Sequence, residues 1–409
     1  MTDKNGELPR GWKSVKLVDL SINGIINGIF KHRHEFGSSI PIVNVYDLYQ
    51  GMAVDLSKVE RVEVSEQDFQ RYQIISGDLL FCRSSLKKEG IGWCCYVPET
   101  SEAAVFDCHI MRVRPNIEEV IPEFVAYYWS HPDVRVKIIE NSRTSTMTTM
   151  NQQDLANVDV LLPPLPEQKR IVAILNEQMS AVEKARTAAE AQLQAAKTLP
   201  AAYLREVFDS PEAQKWERKT LGEICNISTG TTPATDKLHY YQGNVPFAKT
   251  SEITNNKIDR TEIYISQQAV NDYSLKIYPV GTVLMAMYGQ GKTRGQVGIL
   301  NIPATTTQNA AAIVPSSNLL SEYLWYWLRG QYEYLRSIGY LGDISHLSLK
   351  YVKQIEIPFT TIMEQKNIVK ELDQKMSSVE NLQRSLQDQL DTIKQLPAAL
   401  LRQAFNGEL

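Results

Sequence analysis

"EQKRIVAILNEQMSAVE", residues 167–183, decides the fold, because a near copy, "EQKNIVKELDQKMSSVE", occupies residues 364–380. The same spacing separates "LPAAYLREVF", residues 199–208, from "LPAALLRQAF", residues 396–405. Further upstream, "WKSVKLVDLS" corresponds to "WERKTLGEICNIS", "SGDLLF" to "VGTVLM", and "PEFVAYYW" to "SEYLWYWL". Self-similarity at a fixed spacing indicates a repeated architecture. Two copies of one two-part unit therefore fill nearly the whole chain.

The second part of each copy is predicted to be a long helix. Its apolar residues follow 3-4 spacing over about four heptads, which is typical of a coiled coil. The residues predicted to pair the two helices are Val172, Leu175, Met179, Val182, Leu193, Val369, Leu372, Met376, Val379 and Leu390. Ala189, Ala196, Leu386 and Ile393 continue the pattern, and Arg186 and Gln383 occupy the same polar slot. A polar residue at one core slot often fixes the register of a coiled coil.

The ends of both helices carry sequence signals. Thr361 and Glu364 form a capping box, and Pro166 and Glu167 suit a first turn. We expect each helix to run for about 30 residues, roughly 45 Å, and to end before its Leu-Pro pair. Pairing of the two helices within one chain is favoured over a coil that joins separate chains.

The first part of each copy mixes short apolar runs with one aromatic helix. Runs such as "SGDLLFC" and "AAAIVP" read as strands, and "PEFVAYYWSH" and "SEYLWYWLRG" as helices packed on a sheet. We therefore predict an α+β fold with two globular domains joined by two long antiparallel helices, in tandem with pseudo-twofold symmetry. The predicted boundaries are 1–160 and 209–358 for the globular domains, and 161–208 and 359–409 for the helices.

Composition limits the function classes. The chain has 409 residues, 43% of them apolar, and a formal net charge of −4, unlike the strongly basic balance of a small stand-alone DNA-binding domain. It contains no run of 18 apolar residues, and its first residues lack a secretion signal. Five scattered cysteines without C-x-x-C spacing indicate reduced thiols and a cytoplasmic protein.

"AMYGQGKTRGQVG", residues 286–298, superficially resembles a phosphate-binding loop. Such a loop needs a glycine at the position that Ala286 occupies, and a helix after it. The following "RGQVGIL" favours a strand, and copy one has no trace of the motif. Nucleotide binding by residues 289–293 is therefore an unfavoured alternative.

Both copies nevertheless place a cationic, glycine-containing loop between two apolar strands. Arginine and lysine bind phosphates or guanine edges, and glutamine can bind adenine, so the loops are candidate DNA contacts. A solvated hairpin tip explains this feature alone equally well. The candidates are Arg83, Lys87 and Lys88 in copy one, and Gln290, Lys292, Arg294 and Gln296 in copy two.

Two weaker features add to the candidate set. Lys31 and Arg33 lie in "KHRH", where a basic surface turn is a better interpretation than a metal site at His32 and His34. Arg143 begins the hydroxyl-rich and amide-rich "SRTSTMTTMNQQ", which either contacts phosphates or is a linker. No paired general acid and base and no nucleophile motif is present, so no catalytic residue is predicted.

The duplicated signature resembles that of the specificity subunit of type I restriction–modification systems. "LANVDVLLPPLPEQKRIVAIL" is similar to this signature, and "VKQIEIPFTTIMEQKNIVKEL" repeats it more loosely. "STGTTPATDKLHYYQGNVPFAKTSEI" resembles the beginning of that family's target recognition domains, which adds Thr232 and Lys249 to the candidate DNA contacts. "LLRQAFNGEL" resembles the usual chain end, so the subunit is expected to be complete. Copy one lacks the Gly-Thr-Thr-Pro segment, and its contact residues are less well defined.

The resemblance implies a non-enzymatic subunit that binds double-stranded DNA. Each recognition domain would recognise one half of a bipartite target, and the helix pair would set an unread spacer, about 13 base pairs for roughly 45 Å of helix. The partners implied are two modification subunits, which bind S-adenosylmethionine, and restriction subunits, which hydrolyse ATP with Mg. This chain itself would carry no cofactor and no metal.

Two other classes of protein stay open from the sequence. One is an ATP-binding enzyme, which a nucleotide titration would identify. The other is a coiled-coil adaptor without a DNA role, which two unlike basic loops on one scaffold disfavour.

Overall fold

The computed structural model describes residues 8, 10–100, 102–144, 147–289, 292–338 and 347–409. The chain forms two compact units, one of Met1–Ala189 with Gln389–Leu409 and the other of Glu190–Asp388. Each unit mixes strands and helices, which confirms the predicted α+β class. Each unit also includes part of both long helices, so the compact units do not coincide with the four linear segments predicted from the sequence.

The first unit contains a four-stranded sheet in the order β2-β9-β5-β7, a three-stranded sheet β4-β3-β8, a small sheet β10-β11-β6 and the ribbon β1-β12. Its strands are β1 Lys13–Lys16, β2 Ser21–Asn27, β3 Phe36–Val43, β4 Glu60–Val62, β5 Leu79–Cys82, β6 Ser84–Ser85, β7 Cys94–Tyr96, β8 Val105–Phe106, β9 Ile110–Pro115, β10 Arg143–Thr144, β11 Thr148–Thr149 and β12 Asp159–Leu162. Its short helices are α1 Val45–Leu48, α2 Glu66–Tyr72, α3 Pro122–Ser130, α4 Pro132–Glu140 and α5 Gln152–Ala156.

The second unit repeats this plan with a five-stranded sheet β14-β21-β18-β19-β16, a three-stranded sheet β17-β15-β20 and the ribbon β13-β22. Its strands are β13 Glu217–Thr220, β14 Cys225–Thr229, β15 Val245–Ala248, β16 Lys257–Ile258, β17 Ile263–Ile265, β18 Val283–Ala286, β19 Val297–Leu300, β20 Thr305–Thr306, β21 Ala310–Pro315 and β22 Glu356–Phe359. Its short helices are α7 Leu221–Ile224, α8 Gln267–Asp272, α9 Ser321–Gly330, α10 Tyr332–Ile338 and α11 Leu349–Gln354. The two long helices are α6 Leu165–Phe208 and α12 Ile362–Phe405.

The aromatic helices α3 and α9 form the centres of the two cores. Trp129 of α3 is fully buried and meets Phe81 of β5 edge-on, with ring centroids 4.8 Å apart. Tyr323 of α9 is fully buried in one cluster with Val283 and Met285 of β18. These contacts confirm the prediction that the aromatic helices pack on the sheets.

A buried glutamine ties the start of each long helix to the aromatic helix. Gln168 accepts a hydrogen bond from the backbone N–H of Ile121 at 2.8 Å, and its amide donates to the carbonyls of Glu119 and Pro163 at 3.0 and 2.9 Å. Gln365 makes the equivalent three bonds in unit 2, with Leu320, Asn318 and Thr360. Because both glutamine side chains are fully buried, hydrogen bonding explains the glutamine of the duplicated Glu-Gln-Lys signature.

The two long helices pack together within each unit, and they run antiparallel. In unit 1, Val172 and Leu175 share a core cluster with Leu401 and Phe405. In unit 2, Lys375 forms an ion pair with Glu206 at 3.1 Å, whereas Gln383, further along α12, bonds to Ala196, further back along α6. The ten predicted pairing residues are all removed from solvent at least in part: Val172, Leu175, Leu193, Leu372, Met376, Val379 and Leu390 are buried, and Met179, Val182 and Val369 are half-buried.

The expectation that each long helix ends before its Leu-Pro pair is wrong. Both long helices have 44 residues and continue through Pro200 and Pro397, the positions at which the sequence predicted that they stop. The segments beyond these prolines end in Phe208 and Phe405, which are buried in the two cores. Burial of this apolar surface offsets the roughly 3 kcal/mol that an internal proline costs a helix. The helices are therefore longer than the 30 residues from which a spacer of about 13 base pairs was expected.

The carbonyl that Pro200 leaves without its helical partner is bonded from the other helix. A residue with an N–H at position 200 would donate to the carbonyl of Ala196, four residues earlier. The side-chain amide of Gln383 donates to that carbonyl instead, at 2.9 Å. The polar slot in the heptad pattern thus compensates for the proline.

Two further properties of the chain concern the state of its cysteines and the hydropathy of its helices. All five cysteines are free, and burial raises the pKa of Cys95 and of Cys225 to about 12. Among the described residues, no helix combines the length and the apolar character needed to cross a membrane.

Candidate nucleic-acid interface

In each unit, the basic loop predicted to contact DNA lies at one end of the largest sheet, next to a β-turn. The loop that follows β5 is bonded to the β8–β9 turn, since the backbone N–H of Arg83 donates to the carbonyl of His109 at 2.7 Å. In unit 2 the loop after β18 makes the equivalent bond, from Met287 to Asn309 at 2.9 Å. Each unit therefore joins a basic loop and a β-turn into one surface.

A glycine brings a third segment against each turn. A Cβ added to Gly28 would collide with the carbonyl oxygens of Phe106 and Asp107, and one added to Gly230 would collide with that of Thr306. Only a residue without a side chain allows the backbone to pass so closely. The segments after β2 and after β14 are thus fixed beside the turns that begin at Asp107 and Thr307.

Helices α3 and α4 hold the basic loop of unit 1 in place. The guanidinium of Arg135 donates to the carbonyls of Glu89 and Ile91 at 2.7 and 2.8 Å. The indole N–H of Trp129 donates to the carbonyl of Gly92 at 2.8 Å. The loop is therefore rigid before any ligand binds, which lowers the entropic cost of binding.

The predicted cationic contacts of unit 1 differ in their exposure to solvent. Lys87 and Lys88 are exposed, and so is Arg143 on β10. Arg83 is half-buried, and its guanidinium donates to the carbonyl of Cys108 at 3.2 Å. Three predicted contacts are thus free to meet phosphate, whereas Arg83 also holds the turn.

The predicted basic patch at residues 31–33 is partly neutralised. The ammonium of Lys31, 9% exposed, pairs with Glu35 at 2.9 Å. Arg33 is 85% exposed, lies 3.3 Å from Glu60, and stacks over Phe36. Lys31 is therefore a poor candidate for a phosphate contact, and Arg33 remains a good one.

Arg294 requires a correction. The sequence predicts that it contacts DNA, but it is only 7% exposed and donates to the carbonyl of Arg336 in α10 at 2.9 Å. The following glycines, Gly92 in unit 1 and Gly295 in unit 2, have positive φ and are bonded alike to the ends of β5 and β18. Arg294 thus occupies the position of the fully buried Ile91, and its burial argues against a direct DNA contact.

The rest of the loop in unit 2 keeps one exposed cation. Lys292 is exposed, and its carbonyl accepts a hydrogen bond from the Tyr332 hydroxyl at 2.6 Å. Gln296 is half-buried, and Gln290 lies outside the described residues. The residues after the loop form strand β19, not the helix that a phosphate-binding loop needs. This local structure disfavours the nucleotide-binding alternative.

The two candidates taken from the glycine-threonine segment lie among polar groups. The backbone N–H and the hydroxyl of Thr232 both donate to Gln308, at 3.0 and 2.6 Å. Lys249 is half-buried and pairs with Glu262 at 2.9 Å. Thr232 is therefore a positioning residue for Gln308, which the sequence did not single out.

The residues that the sequence analysis missed lie at equivalent places in the two copies. The β8–β9 turn carries Asp107, Cys108 and His109, whereas the β20–β21 turn carries Thr307, Gln308 and Asn309. The alignment of "AVFDCHIMRV" with "ATTTQNAAAI" contains this difference, and a position-by-position comparison of the copies would have found it.

Within the described part of the chain, Asp107, Cys108 and His109 form the one group of potential metal ligands found close together. Asp107 and His109 already share a hydrogen bond of 2.8 Å. Burial and the adjacent Asp107 carboxylate raise the pKa of Cys108 to about 11, which disfavours the thiolate that a metal would need. The group is better explained as a hydrogen-bonded turn.

Comparison with known proteins identifies relatives over most of the chain. A family model described as "Type I restriction modification DNA specificity domain" matches residues 9–192 and again residues 213–391. The MjaIX specificity subunit of Methanocaldococcus jannaschii is 31% identical over 171 residues, which cover 41% of this chain and 39% of the relative. The putative MjaX specificity subunit of the same organism is 24% identical over 396 residues, 90% of this chain and 87% of the relative.

The fold is also found in solved structures. A chain from work on complex assembly and conformational transition of the type I R-M system superposes with a TM-score of 0.79 at 23% identity. The match covers 98% of this chain and all of the solved one. At that identity the likeness shows a shared fold.

Proposed function

Because the chain belongs to the family described as type I restriction modification DNA specificity domains, we propose that it selects the DNA sequence on which a type I restriction–modification complex acts. Each unit recognises one half of a bipartite target in double-stranded DNA. The loops after β5 and β18, together with the β8–β9 and β20–β21 turns, supply the contacts.

One observation carries this proposal: the two units share a scaffold but differ in the side chains on equivalent loops. The first turn after β3 is Val45-Tyr46, and the equivalent turn after β15 is Thr250-Ser251. In both, the backbone N–H before the turn is bonded at 2.7 Å to an acidic side chain, Asp47 or Glu252. A conserved frame with unlike surfaces is what two readers of two different half-sites require.

The partners follow from the family. We infer that two modification subunits bind this chain and supply S-adenosylmethionine for methylation, and that restriction subunits supply ATP hydrolysis with Mg. The chain itself contributes recognition, without catalysis and without a cofactor, and acts in the cytoplasm. The strand after Lys292 supports this division, since a phosphate-binding loop is followed by a helix.

The long helices provide a further part of the proposal. Antiparallel packing of α6 and α12 within each unit supports a role for the helix pair as the element that sets the spacer between half-sites.

Selection from a random DNA library tests the proposed function. The full chain, in complex with its modification subunit, is incubated with randomised duplexes, and the bound duplexes are sequenced. We expect two short conserved blocks separated by a constant number of unconserved base pairs. Enrichment of one continuous block, or of none, would contradict the proposal.

A further inference from the structure

Unit 1 contains an open groove beside its basic loop, with a volume of about 850 Å³. Its wall is mainly apolar, and the large side chains that line it are Tyr46, Tyr49, Leu86, Trp93 and Met147. Tyr46 is 72% exposed and Leu86 is 84% exposed. Two large apolar side chains in water on one groove mark a surface that a ligand can cover.

The groove is formed before any ligand arrives. The Tyr49 hydroxyl lies 3.3 Å from both the Ser85 hydroxyl and the Gly90 carbonyl, so its single proton can be donated to either oxygen. The guanidinium of Arg135 lies over the Trp93 ring, 5.5 Å from its centroid. The wall is therefore held by hydrogen bonds and stacking, and a ligand need not order it.

Charged side chains of both signs lie among the apolar residues that line the groove. Lys87 lines it together with Glu89 and Asp107, so its lining carries one positive and two negative formal charges. The exposed Lys88 follows Lys87 in the same loop. Phosphates would meet the lysines at the rim, and a neutral base edge would meet the apolar wall.

Unit 2 has a different surface at the equivalent positions. Tyr46 corresponds to Ser251, because both are second in the turn after the strand, and His109 corresponds to Asn309, because both receive the backbone bond from the loop. Hydroxyl and amide groups thus replace an aromatic ring and an imidazole. The apolar wall is a property of unit 1 at these positions, and the ligand that needs it differs between the half-sites.

We propose that unit 1 recognises the C5-methyl group of thymine through Tyr46 and Leu86. The proposal rests on the proposed function, since it names the base chemistry of one half-site. In the major groove of DNA, the methyl of thymine is the apolar group that distinguishes this base from the others. The groove combines an apolar wall with cations at its rim, and it continues the loop surface assigned to DNA.

The test uses the split sequence obtained from the library selection. Duplexes are synthesised with each thymine replaced in turn by uracil, which lacks the methyl group. We expect replacement at one or two positions of a single half-site to weaken binding about four-fold for each methyl that contacts the wall. Replacements in the other half-site should leave affinity unchanged.

Substitution of the two exposed groove residues tests whether unit 1 is responsible for the discrimination between thymine and uracil. Tyr46→Ser and Leu86→Ser should each reduce the discrimination between thymine and uracil, and the double variant should bind the two duplexes equally, because it removes both apolar contacts. Ser251→Ala is the matched control in unit 2, and it should keep the discrimination between thymine and uracil. Folding is monitored by thermal unfolding, which these exposed positions should not shift.

The outcomes separate the two proposals. Absence of any split sequence from the selection contradicts the proposed function. A split sequence that is insensitive to uracil at every thymine overturns the thymine assignment alone. If Tyr46→Ser and Leu86→Ser reduce association with the modification subunit but keep the discrimination, the groove binds a protein, and the thymine assignment is wrong.

Discussion

Lys292 and Arg294 lie two residues apart in one loop, but their surroundings are opposite. Lys292 is exposed, while Arg294 is buried and bonded to the carbonyl of Arg336. A buried guanidinium bonded to a carbonyl supports the fold, because its removal takes a hydrogen bond out of the protein interior. Only the lysine is available to a phosphate.

Separate substitutions should therefore have separate effects. Lys292→Ala should weaken DNA binding and reduce the slope of log affinity against log salt by about 1, with thermal stability unchanged. Arg294→Ala should cost about 1–3 kcal/mol of unfolding free energy without DNA. Titrations at several salt concentrations and thermal unfolding measure both. An unaltered salt slope in Lys292→Ala would remove this loop from the interface.

His131 predicts a pH dependence of stability. It is 1% exposed, its Nδ1 accepts a hydrogen bond from the backbone N–H of Asp133 at 3.1 Å, and its ring packs against Phe405. Burial lowers the pKa of His131 from 6.5 to about 4. The unfolded chain thus binds a proton between these values and the folded chain does not, so stability falls as pH drops from 6.5 towards 4.

The loss attributable to His131 should reach about 3 kcal/mol at pH 4, at roughly 1.4 kcal/mol per pKa unit. His131→Asn is the matched variant, because asparagine caps a helix but does not titrate in this range. Unfolding midpoints of both proteins, measured from pH 7.5 down to pH 4, isolate the histidine from the carboxylates that both share. Parallel profiles for the two proteins would exclude this role.

The two long helices continue through internal prolines, although proline locally favours the end of a helix. Pro200 removes one helical hydrogen bond, yet α6 continues, since Leu204 and Phe208 beyond it are buried and Gln383 bonds to the open carbonyl of Ala196. The helix end is therefore a property of the packed pair and not of the Leu-Pro sequence.

A double-mutant cycle tests this compensation. Gln383→Leu should cost about 1–3 kcal/mol, because the Ala196 carbonyl loses its partner. In a Pro200→Ala background the new backbone N–H can bond to that carbonyl, so the same substitution should cost at least 1 kcal/mol less. Gln374→Leu, at an exposed position of the same helix, is the control. Equal costs of Gln383→Leu in both backgrounds would contradict the compensation.

For the whole molecule, the repeated unit is the organising feature. The ribbons β1-β12 and β13-β22 and the buried glutamines Gln168 and Gln365 are the same in both units. The surfaces at the β8–β9 and β20–β21 turns are not. The two units thus share one backbone scaffold but carry different side chains on their candidate DNA-contact surfaces, which agrees with recognition of a split target.

The proposed spacer role leads to a prediction about helix length. Removal of one heptad from each long helix shortens the pair by about 10 Å, or roughly three base pairs. The shortened protein should select the same two half-sites with a spacer about three base pairs shorter. Replacement of exposed residues in the same heptads, without a change of length, is the control. An unchanged spacer would refute the proposal that the helices set it.

The sequence by itself determined the repeat, the α+β class and the pairing of the long helices. Each of these follows from periodic patterns of apolar residues, which are local and can be compared between two copies. The ten residues predicted to pair the helices are accordingly removed from solvent at least in part.

Only the tertiary structure decided which charged and polar groups are available. The burial of Arg294 depends on Arg336, the passage of α6 through Pro200 depends on Gln383, and the apolar groove depends on side chains from separate loops such as Tyr46 and Leu86. These partners are distant in sequence, and the contacts between them cannot be read from the period of either segment alone. Their effects are set by packing, and therefore no local pattern contains them.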